Sequence, residues 1–272
     1  MMSGLEMGRV LDNHPVTRDW FVMDIAAPAT AQKCQPGQFL HIRPIPTYDP
    51  LLRRPLSIYD VLSASGIISL LYRVAGRGTS LLAKAEPEDN IDIMGPLGRG
   101  FTIPMENESI ILVGGGVGVA PLMYLARVSL ERRCRVKLLL GAANATQLGA
   151  AKRFERVGAQ VKTASLDGSA GRHGLVTDLL EEENPSDYSR IYTCGPVPMM
   201  ARVSAWAKTH DMWGEVSLEE HMACGVGACL GCACQLNALQ PGYAKVCKDG
   251  PVFNIDAVEL SPDQGGKEKC LE

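Results

Sequence analysis

The sequence predicts a multidomain protein: an antiparallel β-barrel over residues 1–104, an α/β parallel-sheet domain over 105–214, a small loop-rich domain over 215–260 and a disordered tail over 261–272. Three observations carry this division. Up to about Pro104, short apolar or alternating runs are separated by Pro, Gly, Asn and Asp, the punctuation of an antiparallel sheet or small barrel. From Ser109 onward, strands that are apolar throughout alternate with helical spacing, the pattern of a parallel, doubly wound sheet. After Trp213 both periodicities give way to a stretch crowded with cysteine and glycine, which needs something other than apolar packing to hold it. The chain of 272 residues exceeds the usual single-domain size, and 46% hydrophobic content supplies the cores. With 27 basic and 30 acidic side chains the net charge is −3, and aromatics amount to 6%, so nucleic acid and anionic membrane are excluded as principal partners.

The barrel strands read as DWFVMDIAAP, GQFLHIRP, PLSIYDVL, GIISLLYRV and NIDIMGPLG. In the next zone ESIILVGGG is a buried strand ending in glycines, and APLMYLARVSLERR is a helix with basic residues at its end. RVKLLLGAA, AQVKTASLDGS and SRIYTCGP are further strands; QLGAAKRFERVG, TDLLEEEN and PMMARVSAWAKTH are the helices between and after them. The ligand site of such a sheet lies at the carboxyl ends of its strands. The longest apolar stretch, Ile110 to Ala126, is interrupted by four glycines and Pro121 and reads as a strand running into a helix, not a membrane span. No apolar signal core opens the sequence, so a reducing cytoplasm is expected.

Nine cysteines are present, and five of them lie between Cys224 and Cys247. Crowding of this kind points to a metal centre, where even spacing would point to disulfides. Cys224, Cys229, Cys232 and Cys247 form a C-x4-C-x2-C-x14-C array, the plant-type 2Fe-2S ligand spacing with a short last gap. Gly225, Gly227 and Gly231 let backbone amides approach the sulfurs. Zinc is the alternative reading of Cys229 and Cys232, although a zinc ribbon needs a second C-x-x-C. A dithiol redox pair fails because the motif lies in a glycine-rich loop and does not open a helix. Cys34, Cys134, Cys234 and Cys270 read as bystanders. Glu219, Glu220 and His221 beside the cage read as a solvated turn, with a partner-facing role as the alternative.

LVGGGVGVAPL lacks the third glycine of the dinucleotide fingerprint but fits G-x-G-x-G-x-x-P, with Gly114, Gly116 and Gly118 leading to Pro121. A bare turn opening a helix suits a pyrophosphate. Cys194, Gly195 and Pro196 end the late strand, where a nicotinamide ring would lie, and a small hydrophobe at a strand end is the other reading of Cys194. No acidic residue ends the second strand, which leaves the ribose contact that distinguishes NAD from NADP unassigned, while the missing arginine cluster for a 2′-phosphate tips the reading mildly to NAD.

RPLS at Arg54 to Ser57, GRGTS at Gly76 to Ser80, GGGVGVAP and CGP together resemble the ferredoxin-reductase superfamily. That resemblance implies FAD on the barrel, with Arg54 at the pyrophosphate, Ser57 near flavin N5, Pro55 and Leu56 between them, the backbone of Leu71, Tyr72 and Arg73 beside the ring, and Gly78 and Thr79 near the phosphates. Leu56 stands where the superfamily usually has an aromatic residue. Adding SLEEHMACGVGACLGCACQ and VCKDGPVF, the chain resembles, from Val10 to about Val258, the family of electron-transfer subunits of B-type, NAD-linked dihydroorotate dehydrogenases. The resemblance implies FAD and a 2Fe-2S cluster on this chain, NAD as exchangeable acceptor, and dihydroorotate oxidation on a separate FMN-containing subunit in a heterotetramer with two of each chain, serving pyrimidine (UMP) biosynthesis. The implied route runs from that FMN through the cluster and FAD to NAD. No acid–base residue is then required of this chain. The alternatives are the small FAD and 2Fe-2S subunit of an NAD(P)H:ferredoxin or hydrogenase-type oxidoreductase and, in another class, a colourless scaffold module with a structural zinc.

Overall fold

The computed structural model describes residues 4–261 apart from 46, 48, 239 and 240; residues 262–272, including Cys270 and nearly all of the expected tail, lie outside the described residues. By its internal packing the described chain forms two compact units, one made of 4–101, 219–234 and 244–252 and the other of 102–218, 235–243 and 253–261.

In the first unit six strands close into an antiparallel barrel. They are β1 (Gly4–Pro15), β2 (Trp20–Ala26), β3 (Phe39–Arg43), β4 (Arg54–Leu62), β5 (Ile67–Arg73) and β6 (Asn90–Leu97), in the order β1-β2-β5-β4-β3-β6. Short helices α1 (Pro28–Ala31) and α2 (Arg77–Leu82) punctuate them. Alternation fills the interior with Val10, Met23, Ile25, Leu40, Ile42, Ile58, Ile68, Leu70 and Ile93, all essentially inaccessible. Strand β3 is buried on both faces: Leu40 and Ile42 point one way, Phe39 and His41 the other, and all four are covered. The register of β3 against β6 shifts between Phe39 and His41.

The ladder between β4 and β5 ends at Ile58 opposite Leu70. Beyond that point residues 54–57 remain paired to β3 and residues 71–73 to β2. The two strands therefore part company, each keeping an edge that no strand among the described residues covers.

The second unit holds a sheet of order β10-β9-β8-β7-β11-β12-β15. Its strands are β7 (Ser109–Gly115), β8 (Arg135–Ala142), β9 (Gln160–Ser165), β10 (Arg172–His173), β11 (Arg190–Cys194), β12 (Trp213–Ser217) and β15 (Val252–Asn254). From β10 through β12 all the pairings are parallel. Helices α3 (Ala120–Glu131), α4 (Ala151–Val157), α5 (Val176–Leu180) and α6 (Val197–Thr209) connect the strands. Since β8 lies on one side of β7 and β11 on the other, the strand order reverses beside β7, where ligands of such sheets bind. A two-stranded ribbon joins β13 (Ala233–Gln235) to β14 (Tyr243–Lys245).

Candidate functional site

Three groups of residues stand out. The first is the cysteine loop. Gly225 and Gly227 take left-handed φ values of 69° and 80°, which carry the chain around without side chains in the way. Amides then point at sulfur: Val226 and Ala228 N–H donate to Cys224 Sγ at 3.5 and 3.4 Å, and Gly227 N–H donates to Cys247 Sγ at 3.1 Å. Cys247 N–H donates to Cys232 Sγ at 3.4 Å. The fourth cysteine is held by a turn in which Asp249 N–H donates to Lys245 O at 2.7 Å and Lys245 N–H to the Asp249 carboxylate at 2.8 Å.

The four thiols gather in one loop: Cys224 lies beside Cys229, Cys232 beside Cys247, and the Cys224 sulfur is near enough to act on Cys247 as well. Burial pushes the Cys224 thiol up, but the amides of Val226, Cys229 and Ala228 and the Cys229 thiol outweigh it and hold it at about 6. Burial, reinforced by the Cys232 sulfur, pushes Cys247 up to about 12. Among the described residues no three His, Cys, Asp or Glu side chains gather as one ion requires. A two-iron core asks for a different donor set, four thiolates with two on each iron, and the observed pairing fits it. The pairs differ in setting: Cys232 and Cys247 are buried, whereas Cys229 is exposed and Cys224 half-buried.

Cys34 and Cys134 donate to the carbonyls of Thr30 and Met105, and burial raises both thiols. Cys234 is buried, and burial together with Glu220 pushes it up to about 11.

The second group lies at the parting of β4 and β5. Arg54, Pro55, Leu56 and Ser57 occupy one uncovered edge and Leu71, Tyr72 and Arg73 the other. The Tyr72 side chain is committed to the barrel, its hydroxyl donating to Asn13 Oδ1 at 3.0 Å and its ring stacked on Phe21, so only its backbone is left for a ligand. At the start of α2 the Arg54 guanidinium rests on Gly78, where a Cβ would stand 2.2 Å from Arg54 Nε. That places a cation and a bare backbone together, a cradle for a pyrophosphate. Thr79 serves the turn itself: its hydroxyl accepts from the amides of Ala75 and Gly76 at 3.0 and 3.2 Å. Uncovered strand edges plus this cradle fit FAD.

The third group, in the second unit, joins the glycine turn to the end of β11. Cys194 stands in register with Gly114, and Thr193 Oγ1 donates to Val113 O at 3.0 Å. A Cβ on Gly118 would lie 2.6 Å from Gly195 Cα, and one on Gly115 would lie 2.7 Å from Pro196 Cδ. Gly116, at φ 56°, has open space before it, and Pro121 sits in the first turn of α3. Gly114, Gly116, Gly118, Pro121, Gly195 and Pro196 are thus brought together at the strand reversal, and the geometry fits a dinucleotide. Cys194 is fully buried beside them.

His41 escaped the sequence reading. It is fully buried, and among the described residues neither ring nitrogen completes a hydrogen bond. The one signal was a lone histidine in the apolar run FLHIR.

Residues 219–259 match the family model "iron-sulfur cluster binding domain of dihydroorotate dehydrogenase B", and residues 112–205 match "oxidoreductase NAD-binding domain". The chain is similar to the dihydroorotate dehydrogenase B (NAD(+)) electron transfer subunits of Desulforamulus reducens, at 40% identity over 93% of this chain and 97% of the relative, and of Shouchella clausii, at 39% over 90% and 94%. Among solved structures, one of an NADH-dependent reduced ferredoxin-NADP oxidoreductase, studied for flavin-based electron bifurcation, superposes with TM-score 0.82 at 28% identity, covering 94% of this chain and 91% of that one. A Neisseria gonorrhoeae ferredoxin NADP+ reductase with bound FAD and NADP shares the fold, with TM-score 0.61 at 16% identity over 76% of this chain and 91% of that one.

Proposed function

Because the chain belongs to the family of dihydroorotate dehydrogenase B electron-transfer subunits, we propose that it delivers to NAD+ the electrons that an FMN-bearing partner removes from dihydroorotate, in the service of pyrimidine biosynthesis. When bound, the cluster handles electrons singly, and FAD converts between single electrons and the hydride that NAD exchanges. The residues of this chain bind and orient those groups. Cys224, Cys229, Cys232 and Cys247 hold the cluster. Arg54 and Gly78 take the FAD pyrophosphate, Pro55, Leu56, Ser57 and the backbone of Leu71, Tyr72 and Arg73 line the ring, and Thr79 shapes the phosphate turn. Gly114, Gly116, Gly118 and Pro121 receive the NAD pyrophosphate, with Cys194, Gly195 and Pro196 at the nicotinamide. By function the chain divides at 1–104 for FAD, 105–214 for NAD and 215–260 for the cluster.

The pairing of the four thiols, one pair buried and one toward solvent, carries the reading. The outer pair has the apolar Val226 and Leu230 beside it, and we assign this edge to the catalytic partner in a heterotetramer of two plus two. No helix among the described residues is long and apolar enough to cross a membrane. The described cysteines are unbridged, which suits the reducing cytoplasm we assign to the complex.

The test is anaerobic: the purified chain is mixed with an FMN-containing dihydroorotate-oxidising subunit, and NADH formation is followed after dihydroorotate and NAD are added. A rate that needs both chains is expected. Flavin and cluster that NADH bleaches, but dihydroorotate never drives, would refute it in favour of an NAD(P)H:ferredoxin-type role. The likeness over 94% of the chain to the ferredoxin-NADP oxidoreductase structure favours that second reading.

A further inference from the structure

Gly225, the residue after the ligand Cys224, lies directly on His41: a Cβ built there would fall 2.5 Å from His41 Nδ1 and 3.2 Å from Met94 Cε. His41 is on β3, opposite Pro55 on one side and Met94 on the other, at the shift in strand register, a feature that re-aims side chains. Its main chain is clamped, since Arg53 Nη1 donates to the carbonyls of His41 and Asp92 at 3.2 and 3.1 Å while Arg53 Nη2 pairs with the Asp92 carboxylate at 2.6 Å. The ring is fully enclosed, and among the described residues neither nitrogen completes a hydrogen bond, although the Arg53 carbonyl lies beside the ring. Burial first, then the charges of Arg53 and Arg54, hold its pKa down at about 4 against the opposing pull of the Arg53 carbonyl. The ring is therefore neutral, with one N–H and one lone pair.

A buried imidazole whose nitrogens complete no hydrogen bond is destabilising, and such a cost persists where a ligand supplies the missing partner. We propose that His41 is a tuning residue of the 2Fe-2S cluster, its ring N–H donating a hydrogen bond to a sulfur of the cluster beside Gly225. The inference rests on the cluster reading given above. Hydrogen bonds to cluster sulfur stabilise the more negative, reduced state and so raise its potential. Gly225 suits this arrangement twice over, through its left-handed φ of 69° and through the gap its absent Cβ leaves before Nδ1.

The test uses the full chain with FAD and cluster assembled anaerobically, with iron and sulfide content measured first. In His41→Leu the cluster is expected to be harder to reduce by about tenfold in the one-electron equilibrium, about 59 mV, with the flavin potential unmoved. His41→Gln, which keeps an N–H donor, is expected to recover most of the shift. A full cluster with unchanged potential in His41→Leu overturns the proposal, as does a shift confined to the flavin. A second measurement needs no change at residue 41: pulsed EPR of the reduced cluster in protein carrying isotopically labelled histidine, in a His221→Gln background that removes the histidine nearest the cage in sequence. A histidine nitrogen coupling is expected, and its absence overturns the proposal. Wild-type chain that takes up no cluster sinks the cluster reading and this inference with it, which separates that failure from a cluster that forms but ignores His41.

Discussion

Gly118→Ala tests the nucleotide site where the structure is least forgiving. Gly118 does not have a positive φ, so an alanine backbone is allowed and the whole effect falls on the new methyl. That methyl would stand 2.6 Å from Gly195 Cα, 2.9 Å from Gly195 N and 3.1 Å from the carbonyl carbon of Cys194. Carbon atoms sit comfortably at about 3.5–4.0 Å, so the strand end must retreat by ~1 Å. It has little room, because Gly195, at φ 152°, is itself packed against Gly115 and Met199. Overpacking of this kind costs ~1–3 kcal/mol of stability, and a ~1 Å misplacement of a reacting group costs roughly 100-fold in rate. The assay is stopped-flow reduction of the bound flavin by limiting NADH without air, with dithionite reduction as control. The expected outcome is a roughly 100-fold slower reduction by NADH with flavin and cluster contents unchanged. A rate within twofold of wild type would show that the Gly118–Gly195 contact does not hold the nicotinamide, and the assignment would fall.

Gly78→Ala drives a methyl into the Arg54 guanidinium, the movable end of a long side chain, so the fold should tolerate it while the cradle is lost. Loss of a charge-assisted hydrogen bond, ~1.5–3 kcal/mol, predicts a roughly ten- to hundredfold rise in the FAD dissociation constant, read by flavin fluorescence; an unchanged constant rules out the pyrophosphate role. Cys229→Ser is expected to lose the cluster and keep FAD, so that NADH still bleaches the flavin while dihydroorotate no longer drives NAD reduction through the partner; undiminished coupled activity would contradict the cage. Glu183 is buried and accepts from Lys137, Lys162 and Tyr188 at 2.6, 2.8 and 2.5 Å, which outweighs the burial that pushes it up and lowers its pKa from 4.5 to about 2. A carboxyl lowered on folding stabilises above its unfolded value, so this contribution is complete above pH 4.5 and fades as the pH falls towards 2, by ~2–3 kcal/mol after allowance for the half-exposed Lys162. Urea unfolding across that range should show a steeper loss for wild type than for Glu183→Gln, and parallel curves would disprove the linkage.

What could be read in advance was what is local in sequence. The cysteine spacing fits within one loop and its return strand, and the glycine turn follows directly on the strand that aims it. The runs containing β2 to β9 and β11 announce themselves by apolar content. β1 does not: Leu5 and Met7 face solvent, and the strand is admitted to the barrel by Gly8, where a Cβ would meet Ile25 and Ile93 at 2.6 Å. Nor do β12 and β15, which lengthen the sheet with segments too short to show a period. The Arg54–Gly78 cradle and the His41–Gly225 contact join residues from distant parts of the chain. No spacing rule reaches them, and in both cases the informative quantity is a Cβ that is missing.

The cysteine segment has little apolar material of its own, and the structure shows what it uses in place of a core. It covers the outer face of β3, where His41 meets Gly225, and Arg99 N–H donates to Gly250 O at 2.5 Å. The inner pair, Cys232 and Cys247, is thereby shut away from water, while Cys229 stays exposed next to Leu230, which is 64% accessible and holds a left-handed φ of 62°. An exposed leucine in that conformation is disfavoured twice, by sterics and by water, at a cost of ~1–3 kcal/mol for the backbone alone. Stability of the isolated chain does not account for it. The docking role proposed above would, because one side of a relay's redox centre would be anchored against the chain that carries the flavin and the other would stay open to the chain that supplies the electrons. A partner that covers Leu230 would bury the apolar side chain, and the strained loop would then present Cys229 at the interface.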